Sequence, residues 1–289
     1  MKDLVIVKVG GRAQQDAGLA RAVAIAWAAH PRALVVVHGG GDEASRLQRA
    51  LLGTEPVFVR GRRVTSAEDI DLLRMALSGV ANKRLVAALA AAGVPAIGLS
   101  GEDGRLLRAA AGDAALGRVG SVERVNVALL AQLLVGGWMP VVSPLSADGA
   151  SAGEALNVNG DDAAAAIAAA CGAEELLLVT DVPAVLARTA DGALAPIGRL
   201  TAAEARTLLA SGVAAGGMAA KVEAALAALA AGVRRVRIGD VGAIADAGSG
   251  TVFVATGTAP NEVNDLPAAR FADAVPAVGA DFADRRIHG

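Results

Sequence analysis

Tyrosine is absent from this chain of 289 residues, and four phenylalanines and two tryptophans are its only aromatic side chains. A core must therefore be filled by Ala, Val and Leu, which dominate a hydrophobic content of 54%. Few aromatics and a net charge of −2 exclude a nucleic-acid surface of the usual kind, where basic patches and stacking rings work together. Cysteine is almost absent too. Cys171 stands alone, so no intrachain disulfide can form, and a reducing compartment fits. It lies in an alanine-rich helical run, where a buried inert thiol is expected. The three histidines are scattered at positions 30, 38 and 288, so no histidine-based zinc cluster is expected and no metal ligand is assigned to a side chain.

Long apolar runs are missing as well. A membrane span needs about 20 apolar residues, whereas Ala163–Cys171 and Ala224–Ala231 are short, and Gly93 and Pro95 break the stretch from Leu85 to Leu99. The first residues enter a strand-like segment without the charged and apolar regions of a secretory leader. The expectation is a soluble cytoplasmic protein with no membrane partner.

Lysine is the most informative scarcity. Of 27 basic residues, lysine appears only at positions 2, 8, 83 and 221. Where arginine fills nearly every basic position, a lysine in an odd context signals a need for a compact ammonium. Lys2 is terminal, and Lys83 beside Arg84 suits a solvated helix face. Lys8 and Lys221 are the odd ones.

Hydrophobic periodicity organises what is present. Leu4–Val9 is a nearly continuous apolar run closed by Gly10-Gly11, the pattern of a buried parallel strand. A helix is expected over Leu19–Ala29, a strand over Leu34–His38 closed by Gly39-Gly40-Gly41, and a helix over Asp42–Leu52. Val57–Val64 is short, extended and arginine-rich. Ser66–Ala92 is expected to be one long helix, capped by Ser66 with Glu68 and Asp69 in its first turn. Strands are expected at Ala96–Leu99 and Pro140–Ser143, hairpin strands near Leu106–Ala109 and Val119–Val125, and a helix at Val127–Leu134. In the second half, helices are expected at Asp161–Ala170, Thr201–Ala210 and Gly217–Ala231, and strands at Leu176–Val179, Val236–Ile238 and Val252–Val254. This alternation predicts an α/β fold with an open, mostly parallel sheet sandwiched by helices. One domain is expected over 1–258, with lobes of about 1–155 and 156–258, followed by a tail over 259–289 outside the core.

Two glycine loops follow neighbouring strands and each leads towards a helix. Glycines let backbone approach a ligand closely, and helix N-termini favour anions. The loops converge at the carboxyl edge of the sheet. A lysine inside an apolar strand needs a negative partner, and Lys8 sits two residues before such a turn. Lys221 follows Gly216-Gly217-Met218 at a helix start, where a cation opposes the dipole; an anionic ligand explains it. Asp161, in Asn157-Val158-Asn159-Gly160-Asp161, is either a helix N-cap or the group that holds the two lysines. Together these features imply phosphate handling.

The chain resembles the amino-acid kinase family, within it the branch that phosphorylates the γ-carboxylate of N-acetylglutamate. The resemblance is carried in order by Val7-Lys8-Val9-Gly10-Gly11, His38-Gly39-Gly40-Gly41, Gly61-Arg62-Arg63-Val64-Thr65 and Gly98-Leu99-Ser100-Gly101. It continues through Asn157-Val158-Asn159-Gly160-Asp161, Thr180-Asp181-Val182-Pro183 and Gly216-Gly217-Met218-Ala219-Ala220-Lys221. It implies that Lys8 and Lys221 stabilise a transferring phosphoryl group and that Asp161 orients them. Gly40, Gly41, Arg63, Asn157 and Asn159 would hold an acylated amino acid. Gly10, Gly11, Thr180, Asp181, Val182, Pro183, Leu186, Val213 and Gly217 would serve the nucleotide. ATP with Mg²⁺ is the implied cofactor pair, with small hairpins over the substrate site, and a homodimer is the implied assembly. Gly160 and Ala184 stand where the family more often has alanine and glycine.

Three other readings remain open. Arg60, Arg62 and Arg63 could meet an acidic carrier protein bearing aminoadipate or glutamate. Gly39-x-Gly41-x-x-Ala44 fits a loose dinucleotide fingerprint, although arginines stand where a ribose-binding acid is expected. A non-catalytic amino-acid sensor would keep the fold, but would not require both lysines and Asp161.

Overall fold

The runs of Val, Ile and Leu at Val5–Val9, Leu34–His38 and Glu175–Val179 form three adjacent parallel strands, with Val5–Val9 in the middle. We describe residues 3–59, 61–188, 194–212, 214 and 216–255 in a computed structural model. Among these residues the main sheet has 11 strands. Its path runs Arg199–Thr201, Thr251–Val254, Arg235–Gly239, Glu175–Val179, Val5–Val9, Leu34–His38, Met139–Asp148, Leu107–Ala111 and Gly120–Val125. Ala96–Gly101 and Ala155–Leu156 also pair with Met139–Asp148. Antiparallel pairs occur towards the two edges, at Arg235–Gly239 with Thr251–Val254 and at Leu107–Ala111 with Gly120–Val125.

Side chains alternate across a strand, which sorts the core into two layers. Leu4 and Ile6 point into a cluster with the helices Val127–Val135, Gly160–Cys171 and Gly216–Ala230. Val7 and Val9 point the other way, against Leu19–Ala29, Asn82–Ala91 and Gly242–Ala245. Alanine lets these helices come close: Ala163, Ala164, Ala165 and Ala168 are buried along Gly160–Cys171. By the same alternation Lys8 shares the Ile6 face. The chain leaves Val5–Val9 for Leu34–His38 through a helix on one face, and reaches Glu175–Val179 through a helix on the other. A crevice therefore opens at the carboxyl end of the Lys8 strand.

Expectation and structure differ in several places. Ser66 does cap a helix, in a reciprocal box with Asp69, but the Ser66–Ala92 segment is not one α-helix. It is α-helical over Ala67–Leu73, a π-helix over Arg74–Ala81 and α-helical again over Asn82–Ala91. Gly79 lies in the widened part, where Leu77 and Ala81 press on Gly40 and Ser78 bonds Ser143 at 2.7 Å; packing there outweighs regular α geometry. The strand expected at Pro140–Ser143 extends over Met139–Asp148, because neighbours pair with Met139–Ser143 and again with Ser146–Asp148, across a register shift. An unexpected hairpin joins Leu186–Arg188 to Leu194–Pro196, and a further strand lies at Arg199–Thr201. Arg60 and the expected tail lie outside the described residues.

A buried ion pair braces two adjacent strands of the sheet. Arg237, only 3% exposed, reaches Glu175 on the adjacent strand at 2.6 Å. Its remaining donors go to the carbonyls of Ala243, Asp246 and Ser249, which tacks that segment to the sheet. Arg237→Leu leaves Glu175 buried beside only the more distant Arg235, and is expected to cost about 3–5 kcal/mol by urea denaturation. Adding Glu175→Leu should recover part of that loss; equal stability of wild type and Arg237→Leu would refute the bracing role.

Candidate active site

The two glycine loops meet as their strand pairing requires. Gly39 N donates to Val9 O at 3.1 Å, and Gly10 N reaches Val179 O at 3.4 Å. Gly41 opens the helix Gly41–Leu52, whose first amides have no intrahelical acceptor. A Cβ at 40 would lie 2.6 Å from Leu77 Cδ2, so a larger residue there would require that side chain to shift. The loops wall a cavity of about 220 Å³ with Lys8, Gly11, Gly39, Gly40, Gly41, Arg63, Asn157, Asn159 and Asp161 among its lining. That is below the ~300–1,000 Å³ of drug-sized pockets and suits a small molecule.

Asp161 is the electrostatic centre. Its Oδ1 lies 2.8 Å from Lys8 Nζ, and its Oδ2 lies 3.3 Å from Lys221 Nζ. Lys8 comes from the central strand, Asp161 from the first turn of Gly160–Cys171 and Lys221 from the second turn of Gly216–Ala230. Asp161 is not the N-cap. Asn159 fills that role, its side-chain oxygen accepting from Asp161 N at 2.7 Å, so the Asp161 carboxylate is free for both lysines. The cap also commits one polar atom of Asn159, expected at the substrate. Burial pushes the Asp161 carboxyl up, but the charges and hydrogen bonds of Lys8 and Lys221 outweigh it and leave it below its ordinary value. Burial lowers the Lys221 ammonium and the Lys8 charge adds to this, so Lys221 stays below 10.5 despite Asp161. Gly160 gives Lys8 room: a Cβ there would lie 3.2 Å from Lys8 Cε.

Arg63 ends the small hairpin Phe58–Val59/Arg62–Arg63 that overhangs the cavity. It is buried, with Nη1 donating to Gln48 Oε1 at 2.7 Å and Nη2 donating to Gly41 O and Ser45 Oγ. Its guanidinium also lies 5.0 Å from the Phe58 ring centre, within cation–π range. Asn157 donates to Thr65 Oγ1 at 2.9 Å. Arg62 pairs with Asp162 at 2.8 Å, tying the hairpin to the helix that carries Asp161.

The residues expected at a nucleotide lie around the adjoining sheet edge. Thr180 and Asp181 follow the Glu175–Val179 strand and line a second cavity with Arg12, which pairs with Asp181 at 2.8 Å. Val182 and Pro183 continue that turn, Leu186 begins the small hairpin, and Gly217 lies in the helical turn before Lys221. Val213 lies outside the described residues. Cys171 is buried, as expected, and burial pushes its thiol up to about 12.

Several contributors escaped the sequence reading. Ser45 and Gln48 are polar positions on the buried face of an amphipathic helix, which was the available signal. His38 and Asn82 are fully buried and bonded at 3.0 Å; a histidine ending an otherwise apolar strand could have pointed to them. Lys83 lies on an exposed face, as expected, yet its ammonium caps Asn82 Oδ1 and Gly98 O.

Two glycine loops at a sheet switch point, with two ammonium groups on one buried carboxylate, fit a phosphotransferase of the α/β class. The chain belongs to the amino acid kinase family, whose model matches residues 3–240. It is 44% identical to the acetylglutamate kinase of Chloroflexus aurantiacus, over 86% of this chain and 96% of that protein. It is 42% identical to the acetylglutamate kinase of Ruegeria sp., over 82% of each. Among solved structures it is similar to smu.665 from Streptococcus mutans, with a TM-score of 0.76 and 29% identity, covering 88% of this chain and 99% of that one.

Removing the shared counterion leaves Lys8 and Lys221 facing each other. Asp161 raises the Lys221 ammonium against burial and the Lys8 charge, so Asp161→Asn should lower it further and, if Lys221 acts as a cation in turnover, move the basic limb of the kcat–pH profile to lower pH. A limb at the wild-type position would show that Asp161 does not hold Lys221 charged in turnover.

Proposed function

We propose that this protein transfers the γ-phosphoryl group of ATP to the γ-carboxylate of N-acetyl-L-glutamate, the acyl phosphate serving arginine biosynthesis. The single observation that carries this reading is Asp161 bonded to both Lys8 and Lys221 beside the glycine cradle, in a chain 44% identical to an acetylglutamate kinase. A γ-carboxylate has a pKa near ~4.3 and is already an ionised nucleophile at neutral pH, so no general base is needed. What remains is positioning and neutralisation of charge on the phosphoryl oxygens. Lys8 and Lys221 supply two positive charges, and Asp161 fixes their separation. Amides of Gly40, Gly41 and Gly11 supply donors. Arg63, held by Ser45 and Gln48, and Asn157 bind the acylated amino acid, while the Thr180–Pro183 turn, Leu186, Val213 and Gly217 serve ATP. Mg²⁺ would enter with the nucleotide and would supply charge neutralisation there, with no side chain of this chain assigned to hold it.

The burial of Arg63 and the pairing of Arg62 with Asp162 favour a free small acceptor over a carrier-borne one, because they draw two of the three clustered arginines away from an incoming protein. We further assign a homodimer in the cytoplasm, with Met75 and Val80, both exposed on the Ser66–Ala92 segment, at the contact; light scattering at the chain's own mass would exclude the dimer.

The deciding experiment is a panel of carboxylates with ATP and Mg²⁺, trapping acyl phosphate with hydroxylamine. N-acetylglutamate should give the highest kcat/KM, and a stronger signal from carrier-bound aminoadipate would replace this reading. Lys8→Arg should lose most of kcat although the charge is kept, because a planar guanidinium does not reproduce a compact ammonium. Near-normal turnover would remove Lys8 from phosphoryl stabilisation.

A further inference from the structure

His38 is fully buried at the end of its strand, and the reaction as described makes no use of it. Its Nδ1 lies 2.7 Å from Gly39 O. A carbonyl can only accept, so Nδ1 carries the hydrogen, and Nε2 accepts from Asn82 Nδ2 at 3.0 Å. Burial, countered in part by the Gly39 bond, pushes the ring pKa down to about 4, so the donor is neutral under working conditions. Asn82 cannot turn. The same amide nitrogen donates to Val141 O at 2.9 Å and reaches Leu99 O at 3.4 Å, while Oδ1 accepts from Lys83. Gly98 makes room for it, since a Cβ there would lie 2.0 Å from Asn82 Oδ1.

The same Gly39 carbonyl accepts a second bond, from Gln14 Nε2 at 2.9 Å. Gln14 lines the cavity on the far side of Gly40, among Gly11, Asp42 and Glu43, and neither His38 nor Gln14 lines the cleft that holds Lys8. Both donors thus draw the carbonyl away from that cleft. The peptide bonds described here are trans, and a trans planar peptide directs its N–H opposite to its C=O. Gly40 N–H consequently faces the cleft, and it donates to no protein group among the described residues.

We propose that His38 and Gln14 are positioning residues for phosphoryl transfer: by clamping the Gly39 carbonyl they hold the Gly39–Gly40 peptide with Gly40 N–H aimed at the transferring phosphoryl oxygens. This rests on the kinase reading above. A donor fixed before the reaction stabilises developing charge without reorganising, and an unclamped Gly-Gly peptide could turn its carbonyl towards the phosphates instead.

The test uses the full-length protein in steady-state assays, with thermal melting to verify folding. His38→Leu removes the clamp and should lower kcat by up to about 10²-fold, the loss expected when one stabilising donor no longer reaches the developing charge, with KM for the acceptor changed far less because Arg63 and Asn157 keep their places. His38→Asn returns an N–H near the Nδ1 position and should restore most of kcat. Gln14→Met, which removes one neutral bond, should lower kcat roughly fivefold. The proposal is overturned if folded His38→Leu keeps wild-type kcat, if His38→Asn is as impaired as His38→Leu, or if KM rises while kcat stands. Should His38→Leu fail to fold, unchanged kcat in Gln14→Met overturns it alone. The contrast is measured on whichever carboxylate the wild type phosphorylates, so a different acceptor would overturn the acetylglutamate reading and leave this test intact.

Discussion

Two ammonium groups cannot be buried side by side unless a carboxylate neutralises part of their repulsion. That constraint, met by Asp161 between Lys8 and Lys221, organises the rest of the molecule. Each ion loses several kcal/mol of hydration on burial, so the three must arrive on rigid supports with little freedom to miss. The supports are the central strand and two helices packed on the same face of the sheet. Alanine makes that packing possible, because small side chains along Gly160–Cys171 and Gly216–Ala230 let the first helix sit close over the strand that bears Lys8 and the second pack against the first. The trio keeps a net positive charge, which an anion complements.

Around this centre the polar groups are saturated rather than sparse. No buried side-chain nitrogen or oxygen among the described residues lacks a partner. Arg63 is anchored by Ser45, Gln48 and Gly41 O, Asn157 by Thr65, and His38 by Gly39 and Asn82. Such saturation matters because an unsatisfied buried polar group costs about 1–3 kcal/mol. It also locks orientation, which a reaction that relies on positioning requires. The π-helical stretch Arg74–Ala81 belongs to the same economy of space: it presses Leu77 against Gly40, at the point where the cradle turns.

Much of the parallel sheet was legible because buried strands are written as uninterrupted Val, Ile and Leu runs, and Leu34–His38 and Leu19–Ala29 match the structure at both ends. Lys8 was legible for the opposite reason, as a charge where the pattern calls for an aliphatic. The hairpin Leu186–Arg188/Leu194–Pro196 was not, since two three-residue strands carry too little periodicity to register. The break in the Ser66–Ala92 helix was not read either: Ser78-Gly79 was a weak local signal, and the packing against Gly40 that accompanies it involves a different loop. Ser45 and Gln48 lie on the buried face of their helix, but nothing local names Arg63 as the partner that folding brings over them.

By itself the sequence determined the α/β alternation, the two glycine turns and the presence of two compact charges that needed an anion, because these follow from local periodicity and from the chemistry of single residues. Only the tertiary structure decided which carboxylate meets the lysines and which residue caps the helix. Asn159 takes the cap and Asp161 takes the lysines, with Lys221 lying 60 positions further along the chain. Local sequence offers Asp161 both roles at similar energy, and the choice is made by charges that only folding brings within 3.3 Å.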